Sequence, residues 1–423
     1  MTRYDAPQLT SLDRFKSSYL MSSVRERKTD LCNDTAQAYT GYIDIGARHF
    51  FFYFFESRAN PETDDVIFWT NGGPGGSAAI GLFVELGPCA ILNENAVGRR
   101  VDSWSNHANL LFVDQPIGTG FSFAEYGEYV DTTEEAALDM AVFVTRFFEH
   151  FSKFQGNGFH FAGESYAGRF LPVFASTLYD QIPYLAQLGL PPVNLTSVMI
   201  GQPSLIVGWR LDGLTLVPIS ELDTDPIRCE GLNPYDVSGK TCDWEQEMCY
   251  PEMGSELFQV APGTYRNADG TLNCSYVTSF LNLPSTRALL GIDPSFRSNF
   301  TSVSMDVYNA FDEQLDQYKR TPLHVAALLE RGVRVLVYVG NYDWICNWVG
   351  NERWTRGLEW SGQEEFISTP LREWHFGGKR AGITRNAGPF TFATIDGGGH
   401  LAPMDKPRES VELIRRWISR QDL

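Results

Sequence analysis

Gly163-Glu164-Ser165-Tyr166-Ala167-Gly168 follows the apolar run Phe159-His160-Phe161 and precedes Phe170-Leu171-Pro172-Val173, which reads as the start of a helix. A serine is thereby set on a sharp strand-to-helix turn. Small residues at Gly163 and Ala167 permit the turn and leave the Ser165 hydroxyl clear of its neighbours, as a nucleophile requires. The pattern is G-x-S-x-G with Ala167 in the place of the second glycine.

Outward from this turn, short apolar runs recur at residues 66–70, 110–113, 159–162, 197–200, 333–339 and 390–395, the signature of buried strands. Helix-period segments separate several of them. The clearest starts at Thr132, where Thr132 and Glu135 form a capping-box pattern, and runs through Leu138, Val142, Phe148 and Phe151. Such alternation predicts a mostly parallel sheet covered by helices, with functional residues at the carboxyl ends of the strands. From about residue 181 to 305 the rhythm fades and cysteines, prolines and glycines gather. The expected organisation is a core in two parts, 1–180 and 306–423, with 181–305 inserted over the sheet as a lid.

Two further strand ends carry chemistry. The run 333–339 leads into Gly340-Asn341-Tyr342-Asp343, and 390–395 leads into Asp396-Gly397-Gly398-Gly399-His400. A serine hydroxyl needs a base to take its proton, and an imidazole needs an acid to fix its tautomer. Ser165, Asp343 and His400 occur in the chain order of an α/β-hydrolase. The loop Asn71-Gly72-Gly73-Pro74-Gly75-Gly76-Ser77 follows the run 66–70 and offers backbone N–H donors to an oxyanion. It lacks both the lysine of a phosphate-binding P-loop and the spacing of a dinucleotide fingerprint.

The 423 residues carry a formal net charge of -18, which repels nucleic acid and anionic membrane surfaces and suits an acidic compartment. No run approaches the roughly 20 apolar residues of a membrane span, so membrane insertion is not expected. The first residues, Met1-Thr2-Arg3-Tyr4-Asp5, lack the apolar core of a signal peptide. Seven cysteines, four of them (Cys229, Cys242, Cys249, Cys274) within the insertion, and sequons at Asn33, Asn194, Asn273 and Asn299 favour an oxidising compartment.

Taken together, the chain resembles the serine carboxypeptidases, acid-active exopeptidases of α/β-hydrolase fold. The resemblance rests on Trp69-Thr70-Asn71-Gly72-Gly73-Pro74-Gly75, Asp114-Gln115-Pro116 with Gly120-Phe121-Ser122, residues 163–168, Asp343 with Ile345-Cys346-Asn347-Trp348, and Gly399-His400 followed by Pro403-Met404-Asp405. It implies Ser165 as nucleophile, His400 as base, Asp343 as its orienting acid, and the N–H groups of Gly73 and Tyr166 as the oxyanion hole. It further implies that Asn71 and Glu164, supported by Trp69 and Glu85, bind the terminal carboxylate of a peptide or protein substrate. No metal or cofactor is implied. By the same resemblance Cys346 is a thiol beside the substrate pocket and Cys32 pairs with Cys274, while Cys89 is a second candidate for a thiol outside any disulfide. A secreted, vacuolar or lysosomal location follows.

Two positions depart from the family pattern. Gly201-Gln202-Pro203 stands where Gly-Asn-Gly is common, which could alter the pocket, and Gly340-Asn341 stands where Gly-Asp is common, which could weaken a local hydrogen bond. An acyltransferase on the same scaffold and a catalytically silent binding homologue are the alternative readings. Retention of Asn71, Glu85 and Glu164 favours the peptidase over the first, and the intact Ser165, Asp343 and His400 argue against the second.

Overall fold

The computed structural model describes residues 11–32, 34–93, 96–203, 210–211, 214–215, 275–343 and 346–423. Its strands in chain order are β1 (Ser22–Lys28), β2 (Ala38–Ile45), β3 (Arg48–Phe55), β4 (Val66–Thr70), β5 (Cys89–Asn93), β6 (Ala96–Arg99), β7 (Asn109–Val113) and β8 (Phe123–Ala124). They continue with β9 (Phe159–Glu164), β10 (Leu195–Gly201), β11 (Arg210–Leu211), β12 (Leu214–Thr215), β13 (Arg334–Gly340), β14 (Arg372–Phe376), β15 (Lys379–Ala387) and β16 (Phe390–Ile395). One sheet runs β1-β2-β3-β7-β4-β9-β10-β13-β16-β15-β14, with β8 beside β3. Its centre, from β7 to β16, is parallel, and antiparallel strands flank it on both sides.

Strand periodicity assigns the apolar side chains to the two faces. Along Arg48–Phe55, Phe50, Phe52 and Phe54 enter one core with the helices α1 (Ser11–Leu20), α2 (Thr133–His150) and α3 (Ala167–Leu185), whereas Phe51, Tyr53 and Phe55 enter the core on the opposite side. A stretch buried on both faces must be apolar throughout, and Phe50 to Phe55 is so, after the partly buried Arg48 and His49. At the start of α2 the Thr132 hydroxyl accepts from Glu135 N–H at 3.4 Å, as its pattern predicts.

Within the range 181–305, β10 pairs with β9 and β13, so the sheet draws a strand from inside the expected insertion. Phe280, Leu281, Leu290, Phe296 and Phe300, nearer its end, pack into the second core. The cysteines at 229, 242, 249 and 274, Asn33, Asn273 and Ile345 lie outside the described residues. Asn194 and Asn299 are exposed.

The cysteine pairing corrects two expectations. Cys32 is bonded to Cys89, with Cα atoms 5.4 Å apart, so Cys32 does not pair with Cys274 and Cys89 is not a thiol. The pairing that the resemblance implies is not the one this chain makes, and cysteine spacing carries no connectivity that could have replaced it. The bridge closes a sequence separation of 57 residues between the turn that follows β1 and the start of β5. Replacing Cys89 by serine is expected to cost about 2–4 kcal/mol of unfolding free energy. Urea midpoints of the two proteins check this, and a peptide map containing a Cys32–Cys274 crosslink would contradict it.

Candidate active site

Ser165 stands between the end of β9 and the start of α3 with a φ of 60°, a left-handed conformation that non-glycine residues rarely adopt. The turn is held by close packing. A Cβ at Gly163 would lie 2.3 Å from the Thr70 carbonyl oxygen and 2.7 Å from the Ala167 Cβ, and one at Gly72 would lie 2.4 Å from the Tyr166 amide nitrogen. Glycines therefore bring the Gly-rich loop after β4 against the backbone of the turn. The Ser165 amide donates to the Gly201 carbonyl at 3.0 Å, tying the turn to the end of β10.

Asp343 and His400 follow β13 and β16 at the same edge of the sheet. His400 Nδ1 is 2.7 Å from Asp343 Oδ2, and Asp343 Oδ1 accepts from the Cys346 amide at 3.0 Å. A carboxylate at Nδ1 holds the proton there and leaves Nε2 as the basic nitrogen. Both groups are buried. Among the described residues no hydrogen bond joins the Ser165 hydroxyl to His400. Cys346 is also buried, and ligand-type atoms of Asp343, Cys346 and His400 lie within 4.8 Å of one another.

The two loops brace each other. The Tyr342 amide donates to the Gly398 carbonyl at 2.9 Å, and Asn341 accepts from the Gly397 amide at 2.7 Å while donating to Asp396 at 3.2 Å. Asparagine at 341 therefore makes hydrogen bonds to both Gly397 and Asp396. Asp405 accepts from the Gly399 amide at 2.7 Å, a contact that the motif 403–405 carried without revealing its purpose. Gln202, the other departure, is fully buried at a φ of 42°.

Next to Ser165 lies a buried acid pair. Asn71 Oδ1 accepts from Trp69 Nε1 at 2.8 Å and from the Gly81 amide at 3.0 Å, which fixes its orientation. Its Nδ2 then donates to Glu85 Oε1 and Glu164 Oε1, each at 3.0 Å. Glu85 lies in a π-helical turn, Gly81–Glu85, and Glu164 is the last residue of β9. Burial and the neighbouring Glu85 push the Glu164 carboxyl well above the ordinary range. Burial also raises Glu85, against opposing contributions from Glu164, Asn71, His400 and Arg100. Two buried carboxyls so close cannot readily lose both protons.

One network had no local sequence signal. Tyr166 Oη donates to Asp316 Oδ2 at 2.8 Å, and the same carboxylate accepts from the Thr133 amide at 3.0 Å. Asp316 is 150 residues from Tyr166, and nothing in Leu315-Asp316-Gln317 marks it.

The chain matches the profile of a family described as serine carboxypeptidase over residues 31–207 and 217–420. It is 35% identical over 433 aligned positions to carboxypeptidase Y of Candida albicans, covering 94% of this chain and 76% of that protein. To the vacuolar serine-type carboxypeptidase ATG42 of Saccharomyces cerevisiae it is 34% identical, covering 94% and 82%. Among solved structures it is similar to Kex1(delta)p, a prohormone-processing carboxypeptidase from Saccharomyces cerevisiae, with a TM-score of 0.69 at 20% identity over 91% of each chain. That likeness establishes a shared fold.

Proposed function

We infer the residue roles from the premise that the chain belongs to the serine carboxypeptidase family. It is accordingly a hydrolase of α/β-hydrolase fold that acts on peptides or proteins. Ser165 Oγ attacks the carbonyl of the last peptide bond as His400 Nε2 takes its proton, and Asp343 stabilises the imidazolium. The Gly73 and Tyr166 N–H groups receive the developing oxyanion. His400 returns the proton to the leaving amino acid, and water then releases the acyl group by the reverse sequence. The hydrogen bond between Ser165 and His400 forms with substrate bound, since catalytic contacts often tighten only then.

The observation that carries the exopeptidase reading is the bridge from Asn71 to Glu85 and Glu164. A buried carboxyl pair beside a serine nucleophile is costly unless it has a use. Holding one proton, it can donate to the carboxylate of a peptide's chain end and so place the last peptide bond over Ser165. The same proton makes the site favour acid pH. A vacuolar location agrees with this and with the named location of the ATG42 relative.

Mass spectrometry of a peptide incubated with the enzyme provides the test. A ladder of single C-terminal losses is the expected result. Cleavage at internal bonds, or transfer of the acyl group to an added small alcohol in preference to water, would overturn it.

A further inference from the structure

The segment 302–316 touches both backbone elements to which the oxyanion donors were assigned. At one end it lies along the Gly-rich loop: the Ser304 amide donates to the Gly75 carbonyl at 2.9 Å, and the Ser77 amide donates to the Ser302 carbonyl at 2.9 Å. Gly76 and Val303 form an antiparallel bridge. A Cβ at Gly75 would lie 2.5 Å from the Ser304 carbonyl oxygen, so this approach requires glycine. The loop that carries Gly73 is thereby stapled along one side.

At its other end the segment reaches the nucleophile turn. Asp316 is fully buried. Besides Tyr166 Oη and the Thr133 amide, its carboxylate accepts from Thr133 Oγ1 at 2.5 Å and lies 3.3 Å from Arg169 Nη2 and 3.1 Å from Lys319 Nζ. Its backbone carbonyl accepts from Arg169 Nε at 3.1 Å. Burial opposes ionisation of Asp316, yet the Arg169 charge and the bonds from Thr133 and Tyr166 hold it below the ordinary carboxylate range. A charged acceptor makes the Tyr166 anchor a strong one. Between the two ends runs the helix Met305–Glu313, whose Phe311 packs edge-on against Phe170 of α3 at 5.9 Å.

We propose that Asp316 is a positioning residue for the oxyanion hole, holding Tyr166 through its hydroxyl while the adjoining residues 302–304 hold the Gly73 loop. The Tyr166 side chain and the Tyr166 N–H belong to one residue at the first turn of α3. Fixing the ring fixes the direction of the amide. Because one short, helix-braced segment grips both donors, their separation is set by a single rigid element and survives movement elsewhere. This inference rests on the assignment of Gly73 and Tyr166 as oxyanion donors.

The test uses Tyr166→Phe, Asp316→Asn and Ser165→Ala in the full chain, assayed with one free-acid peptide. Tyr166→Phe removes a single hydroxyl and leaves Asp316 its bonds to Thr133 and Arg169, so the fold is retained even where Asp316→Asn does not fold. It is expected to lower kcat about tenfold to a hundredfold with KM changed less than about twofold, the mark of an interaction realised in the transition state. Affinity for a peptidyl trifluoromethyl ketone, which forms a tetrahedral oxyanion, is expected to weaken by the same factor. An unchanged kcat, or a loss of kcat without weaker binding of the ketone, overturns the proposal. Ser165→Ala tests the underlying reading separately: if it remains active the whole site is misassigned, whereas an inactive Ser165→Ala beside a fully active Tyr166→Phe removes only the role of Asp316.

Discussion

Replacing Ser165 by alanine is expected to lower kcat by about 10^6-fold, leaving the small residual rate that binding and oxyanion stabilisation give without a nucleophile. The reason is geometric as well as chemical. Ser165 alone occupies the strained junction between β9 and α3, at a φ of 60°, and no other hydroxyl in the described structure combines that conformation with a partner loop at the Tyr166 amide. His400→Ala should cost about as much, because a serine hydroxyl near neutral pH is inert without a base. Asp343→Asn should cost less, about 10^4-fold, since the imidazole remains and only its tautomer is lost. Initial rates of C-terminal release measure all three. A serine-directed phosphonylating reagent gives an independent check, with the label expected on the peptide containing Ser165. Rates for Ser165→Ala within about tenfold of the parent would show that the acyl group is carried elsewhere.

Much of this site was legible because its parts, Glu85 in the turn Gly81–Glu85 apart, lie at or just past the ends of buried parallel strands. Such strands read as continuous apolar runs, and the chain must leave the sheet where the run stops; hence Thr70, Glu164, Gly340 and Ile395 all mark observed strand ends. The antiparallel edge was harder to see. In Arg372–Phe376 only Trp374 is buried, so the strand carries no apolar run, and its neighbour Lys379–Ala387 begins with two exposed cationic residues. Tertiary pairing, rather than local pattern, makes these strands. The same limit explains the Cys32–Cys89 bridge and the Asp316 network. Both join residues far apart in the chain through side chains that have no period, and a lone aspartate in a polar stretch looks like any solvated residue. Asp316 is buried because Thr133, Tyr166 and Arg169 converge on it from at least 147 residues away in the chain, and only Lys319, three residues on, is a local partner.

A free-acid peptide and its C-terminal amide are expected to give different pH profiles, and the difference follows from the Glu85–Glu164 pair. Burial and mutual repulsion hold its last shared proton to a pH well above the ordinary glutamate range. Below that raised pKa the pair carries one proton, which on the proposed reading it donates to the substrate's carboxylate. Above it a second negative charge appears beside Ser165 and repels that carboxylate. The KM for the free acid should therefore rise with pH, at most about tenfold per unit once the pair has deprotonated. The amide has no charge to repel and should show no such rise. Other groups act on the pair: Asp343 raises Glu164, whereas His400 and Arg100 lower Glu85. Tyr338, buried in β13, is neutral, its ionisation suppressed by burial and by both carboxyls. On the proposed roles the same base serves both substrates, so its contribution cancels in the ratio of the two profiles and leaves that of the acid pair. Glu164→Gln supplies a permanent N–H donor in place of the proton, and should flatten the ratio while costing affinity at low pH. Parallel profiles for the two peptides from about pH 4 to about pH 8 would mean that the pair does not hold the chain end. The terminal-carboxylate role proposed for Asn71 would fall with it, because the Asn71 amide donates to those two acids.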